Sequence, residues 1–171
     1  MSTLSLTPVI LTGYKEHGKD ECCNILESLG VSSISSSWYA CKAFLFDQLK
    51  EQFGYATPEE CHADRRNYRK IWFDGIRAYN EGNLSRMAEE IWLKEGYRVY
   101  NGLRNREEFD AIKAKFPNVI VIWVDASDRK EKESVESMEL SIEDAHIVID
   151  NNGPLENLPT EVKAVFNTIF N

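Results

Sequence analysis

The chain has 171 residues, 43% hydrophobic and 28% charged, with a formal net charge of −8 at pH 7. This length suits one globular domain with a buried core; the acidic balance argues against an extensive polyanion-binding surface, although a local basic groove fits within it. No apolar run approaches membrane-spanning length, the first residues lack the pattern of a signal peptide, and the four cysteines (Cys22, Cys23, Cys41, Cys61) show no C-x-x-C spacing, so a reduced, cytoplasmic setting with no membrane contact and no structural metal is expected.

Taken in chain order, the apolar run Val9 to Thr12 predicts a buried strand and Lys19 to Leu29 a helix stopped by Gly30. Val31 to Ile34 predicts a short second strand leading into Ser35-Ser36-Ser37. The spacing of Phe44, Leu45, Leu49 and Phe53 predicts a helix over 39–53, ended by Gly54. Thr57-Pro58 supplies an N-cap and an N1 proline for the next helix. Asn67 to Asn80 and Leu84 to Lys94 read as two more helices, Arg98 to Leu103 as a strand and Asn105 to Phe116 as a helix. Val119 to Val124 and His146 to Ile149 are the last strands, before an amphipathic helix over 155–170. Strands alternating with helices predict an α/β domain over 1–171, three-layered around a central parallel five-stranded sheet, with a helical insertion around 39–94.

The first strand runs into Gly13-Tyr14-Lys15-Glu16-His17-Gly18-Lys19-Asp20. Two glycines five apart and then lysine match the phosphate-binding P-loop, with Asp20 where Ser or Thr is usual. The glycines permit positive φ and close backbone approach, so successive N–H groups converge on phosphate oxygens. The following helix adds the positive end of its dipole, and Lys19 neutralises the β- and γ-phosphates. His17 is expected to face solvent, with phosphate contact as the alternative.

Three further segments bear on chemistry. Arg98 to Arg104 is a strand ending in a polar loop, and in an open parallel sheet ligands bind beyond the carboxyl ends of strands. A P-loop kinase places an acid there for Mg²⁺; this chain has Asn101 and Gly102, then Arg104 and Glu108. Arg104 reads either as a solvated loop residue or as a bidentate clamp for an acceptor phosphate. The stretch 64–77 places Arg66, Arg69, Lys70, Phe73 and Arg77 near one another on a helix. That stripe is a solvated charged face or a phosphate-facing surface, and Trp72 and Phe73 are core residues or base-stacking groups. Finally, Asp150-Asn151-Asn152-Gly153 is a strand-to-helix turn whose position also suits adenine contact through Asn151.

Together these motifs resemble the P-loop nucleotide-kinase group that holds bacteriophage deoxynucleoside monophosphate kinases, with phosphomevalonate kinases as relatives. The resemblance rests on Gly18-Lys19-Asp20, on Lys42 at the start of a helix, and on the arginine-rich helix with Arg66, Arg69 and Arg77. It also rests on Arg104 with Glu108 four residues later, and on His146 to Leu155. It implies ATP and Mg²⁺ as cofactors, bound by residues 13–20 with Asn151, and Asp20 at the metal. It implies Lys19, Asp20, Arg69 and Arg104 as catalytic groups, and Lys42, Arg66, Arg69, Trp72, Arg77, Arg104 and Glu108 as the acceptor site within the insertion. The acceptor implied is a small-molecule nucleotide. Hydroxymethyluracil within DNA is the second reading, phosphomevalonate stays open, and a binding module without catalysis is the non-enzyme reading. A homodimer is compatible with the resemblance. The segment 125–137, where related kinases carry lid arginines, offers Arg129, Lys130 and Lys132.

Overall fold

The computed structural model describes residues 7–170. Five strands, β1 (Val9–Thr12), β2 (Ser33–Ser35), β3 (Val99–Asn101), β4 (Ile120–Asp125) and β5 (Ile147–Asp150), form one sheet in the order β2-β3-β1-β4-β5. Every pairing is parallel, with Ile10 opposite both Tyr100 and Val121. The expected α/β architecture with a central parallel sheet is the one observed.

Side-chain alternation along the strands builds two cores, one on each face. Val9, Leu11, Ile122 and Val124 point to the face covered by α1 (Lys19–Ser28) and α8 (Leu158–Ile169), where they meet Cys22, Leu26, Leu158 and Val162. Ile10, Ile34, Tyr100, Val121 and Trp123 point to the other face. That face is covered by α2 (Ser36–Ala40), α3 (Phe46–Phe53), α4 (Pro58–Asp64), α5 (Arg69–Tyr79), α6 (Arg86–Glu89) and α7 (Arg106–Lys115). Each fully buried branched side chain in these layers stabilises the fold by roughly 1.5–3 kcal/mol relative to exposure.

The helices depart from the predicted spans where hydrogen bonding compresses or widens a turn. The helix expected over 39–53 starts earlier: Ser35 caps α2 by accepting from the Trp38 N–H at 3.1 Å. Cys41–Leu45 forms a π-turn that joins α2 to α3. A second π-turn, Glu90–Lys94, continues α6. The helix expected from Asn67 begins at Arg69 because Arg65–Asn67 is a 3₁₀ turn. Strand β2 begins at Ser33 instead of Val31, since the Val31 N–H closes the end of α1 by donating to Leu26 O at 3.0 Å.

Because β1 lies between β3 and β4, the chain leaves β1 and β3 towards opposite sides of the sheet. The crevice at this switch in strand order is where an open α/β sheet binds ligands. The loop 13–18 stands at its mouth.

Candidate active site

The loop after β1 is held from several directions. Gly13, Glu16 and Gly18 all adopt positive φ, at 152°, 65° and 105°. A Cβ on Gly13 would sit 2.6 Å from the Val124 carbonyl oxygen, so only glycine lets the loop pass this close to β4. Thr12 Oγ1 donates to Leu103 O at 2.7 Å and the Gly102 N–H to Leu11 O at 3.0 Å, which fixes the loop carrying Arg104 beside the end of β1. Tyr14 packs edge-on against Trp123 and against His17.

His17 is fully buried, which corrects the solvent-facing expectation. Its Nδ1 accepts from the Ala126 N–H at 2.9 Å, so the ring proton sits on Nε2, which donates to Glu131 O at 2.9 Å. Its own carbonyl accepts from the Asn151 side-chain amide, also at 2.9 Å. The side chain of Asn151, 3% exposed, buttresses the phosphate loop through its amide nitrogen, while its Oδ1 is buried without a partner. Both side chains brace the loop, His17 through Ala126 and Glu131 and Asn151 through the His17 carbonyl.

Lys19 folds back over the loop, donating to Gly13 O at 2.8 Å and Tyr14 O at 2.9 Å. Burial, reinforced by the neighbouring Arg104 guanidinium, lowers its pKa to about 8. The ammonium retains a third proton for a ligand. Arg104 is turned to the same place: its Nη1 donates to Glu133 Oε1 at 2.7 Å, and the other oxygen of that carboxylate accepts from the Lys15 backbone N–H at 2.7 Å. A carboxylate oxygen therefore already occupies the Lys15 amide of the loop. One carboxylate oxygen thus meets a loop N–H and the other a guanidinium, the two kinds of donor that also bind phosphate oxygens.

Asp20 stands at the first turn of α1, where Asn101 Nδ2 donates to its Oδ1 at 3.2 Å. Asn101 Oδ1 is buried without a partner. One carboxylate and one amide oxygen beside a phosphate cradle match the all-oxygen preference of Mg²⁺, which is held by one or two carboxylates together with substrate phosphates. Among the described residues no group of three or more His, Cys, Asp or Glu side chains forms a metal cage.

On the β2 side of Asp20 and Asn101 opens a cavity of about 510 Å³, lined among others by Ser35, Ser37, Trp38, His62, Arg65 and Tyr97. His62 is kept neutral: burial, and then Arg65, lower its pKa to about 4. Arg65 Nη1 donates to His62 O at 2.7 Å and faces His62 Nδ1 at 3.5 Å. A donor opposite Nδ1 leaves the imidazole proton on Nε2, which donates to Ser37 Oγ at 3.0 Å. The Ser37 hydroxyl proton is then free to point into the cavity.

The residues expected at the acceptor divide sharply. Lys42 stands on the rim, its ammonium 5.4 Å from the Trp38 ring centroid. Arg66, Arg69 and Arg77 are solvent-exposed and do not line the cavity. Trp72, expected to stack on a base, is 5% exposed within the core, because α5 turns that side of the helix onto its helical neighbours, Trp72 against His62 of α4 and Gly75 against Leu45. Glu108 lies half-buried in the first turn of α7, its N–H capped by Asn105, and burial pushes its carboxyl up to about 7. Arg65, His62, Ser37, Trp38 and Glu133 were not singled out as site residues. The only signal for Arg65 was its place in the basic stretch, and nothing local marks the other four.

No known family model matches the sequence, and no curated protein matches it. Solved structures do match. A sugar kinase from a Janibacter species is similar at TM-score 0.52 and 13% identity, with 96% of this chain and 95% of that chain covered. Dephospho-CoA kinase from Campylobacter jejuni gives TM-score 0.50 and 18% identity over 95% and 97%, and shikimate kinase from Bacteroides thetaiotaomicron 0.51 and 12% over 95% and 97%. The fold is that of P-loop kinases. At these identities the likeness concerns the path of the chain. Among the described residues no helix is long and apolar enough to cross a membrane, and all four cysteines are free and buried.

Proposed function

We propose that this chain is an ATP-dependent phosphotransferase acting on a deoxynucleoside monophosphate. The observation that carries the reading is adjacency. Asp20 and Asn101 belong at once to the phosphate cradle and to the wall of the Ser37–Trp38–His62–Arg65 cavity. A molecule in that cavity would present its phosphate to the γ-phosphate of a nucleotide on the P-loop.

In this reading the loop amides and Lys19 hold the β- and γ-phosphates, and Asp20 with Asn101 faces the metal. Mg²⁺, when bound with ATP, neutralises charge on the transferring phosphoryl group. An oxygen of the acceptor phosphate bonds to the γ-phosphorus as the bond to the β,γ-bridging oxygen breaks and ADP leaves. A phosphate oxygen is already deprotonated, so no strong base is required; positioning and electrostatics supply the acceleration. Arg65, and Arg104 once turned from Glu133, screen the acceptor phosphate. Trp38 offers a ring for a base to lie against, and the Ser37 hydroxyl a hydrogen-bond donor for a carbonyl oxygen on it.

A second reading has support in one feature. Arg66, Arg69 and Arg77 are exposed and form no ion pair among the described residues, and Phe73 beside them is 53% exposed. A cationic face with an aromatic group suits a nucleic-acid strand, so a hydroxymethylated base within DNA is the alternative acceptor.

The test is transfer from labelled ATP with Mg²⁺ to a panel of deoxynucleoside monophosphates beside hydroxymethyluracil-containing DNA. Label in a diphosphate supports the monophosphate reading. Label in DNA alone moves the activity to the polymer. Label in neither, with ATP still bound, turns the test to phosphomevalonate as acceptor, and failure there leaves a binding module.

A further inference from the structure

The segment between β4 and β5 lies across the phosphate loop, tied down by the His17 imidazole at Glu131 O and by the Arg129 Nε donating to Asn151 O at 2.7 Å. It carries the Glu133 carboxylate onto the Lys15 N–H of the phosphate loop. The side chain is only 16% exposed, and it bridges a P-loop amide and a site arginine at 2.7 Å each. Burial alone would raise the pKa of this carboxyl, yet the bonds from Arg104 and the Lys15 N–H hold it below the ordinary glutamate value. Among the described residues Glu133 is the sole carboxylate paired with Arg104.

We infer that Glu133 is a built-in phosphate surrogate: it plugs the nucleotide cradle of the free protein, and the incoming nucleotide must displace it. The inference rests on the reading of residues 13–20 as a nucleotide-phosphate site. Two consequences follow from the shared contacts. Nucleotide affinity is reduced by the free energy of the two charge-assisted hydrogen bonds that must break. Displacement also removes the carboxylate partner of Arg104 Nη1, which otherwise donates to Ser137 O at 3.3 Å, so that nitrogen becomes available to an acceptor phosphate once nucleotide is bound.

The deciding measurement is calorimetric titration of ATP with Mg²⁺, and separately of inorganic pyrophosphate, into the wild-type chain and the variants Glu133→Gln, Glu133→Ala, Glu133→Asp and Lys19→Ala. Thermal melts establish that each variant is folded. Removing the charge is expected to tighten both ligands at least about tenfold in the Gln and Ala variants, since two charge-assisted hydrogen bonds no longer compete and one such bond is already worth about that factor. The Asp variant, too short to bridge both partners, is expected to fall between them and wild type. Unchanged or weaker binding in the folded Gln and Ala variants, with wild-type binding intact and lost in Lys19→Ala, overturns the plug and leaves the nucleotide site standing. Absence of binding in wild type and in every Glu133 variant overturns both.

Discussion

The side-chain amide of Asn151 donates to the backbone carbonyl of His17 at 2.9 Å, joining the turn after the last strand to the middle of the phosphate loop. The same amide nitrogen lies 2.5 Å from where a Cβ on Gly18 would be. The contact is buried, so its loss leaves a carbonyl without a partner at a cost of about 1–3 kcal/mol.

Asn151→Ala is therefore expected to lower the melting temperature and to weaken ATP binding without changing the preference for ATP over GTP. An adenine-reading role would instead alter that preference with the melting temperature unmoved. Thermal denaturation and paired nucleotide titrations separate the two.

His17→Phe keeps the ring and removes both of its hydrogen bonds, at Ala126 N and Glu131 O. We expect a loss of about 2–4 kcal/mol in chemical denaturation, since a buried N–H and a carbonyl lose their partners. Hydrogen exchange should quicken at Ala126 and its neighbours first. A variant as stable as wild type would show that these bonds form no part of the native loop.

The glycines of the loop should differ in cost. Gly13→Ala drives a Cβ against the Val124 backbone carbonyl, which cannot yield, whereas Gly18→Ala meets the end of the Asn151 side chain. Both also strain positive φ, at about 1–2 kcal/mol each. The expected order is a larger stability loss for Gly13→Ala; equal losses in urea melts would contradict the close approach to β4.

Lys19 gives opposite signs for binding and stability. Its folded pKa, lowered to about 8 against 10.5 for the free side chain, means that the unfolded chain binds more protons between those values. This group therefore adds stability as pH rises from about 8 to 10.5 and opposes folding while charged below that window. ATP affinity should run the other way, falling as pH rises through about 8 and the ammonium discharges. Lys19→Ala should abolish phosphoryl transfer, flatten both pH dependences and leave the protein folded; turnover within tenfold of wild type would remove Lys19 from the site.

The alternation of Val9, Ile10 and Leu11, and of Val121 to Val124, was enough to place buried strands, because a parallel strand covered on both faces needs apolar residues at every position. The P-loop was equally legible, since its glycines and lysine lie within eight consecutive residues and act through their own backbone. The spacing of the basic helix located its charges but not their direction. Trp72 went to the core, and Arg66, Arg69 and Arg77 to solvent, once α5 was laid against α4 and the π-turn at Cys41–Leu45. Only the tertiary structure brought Glu133 onto the Lys15 amide, 118 residues apart in the chain, and set Ser37, His62 and Arg65 in one wall. Local propensity and period are properties of neighbours along the chain, so they determine elements and loops. A carboxylate in a phosphate's place, or a histidine holding a serine, depends on which elements the buried faces bring together, and no local pattern in the sequence marks it.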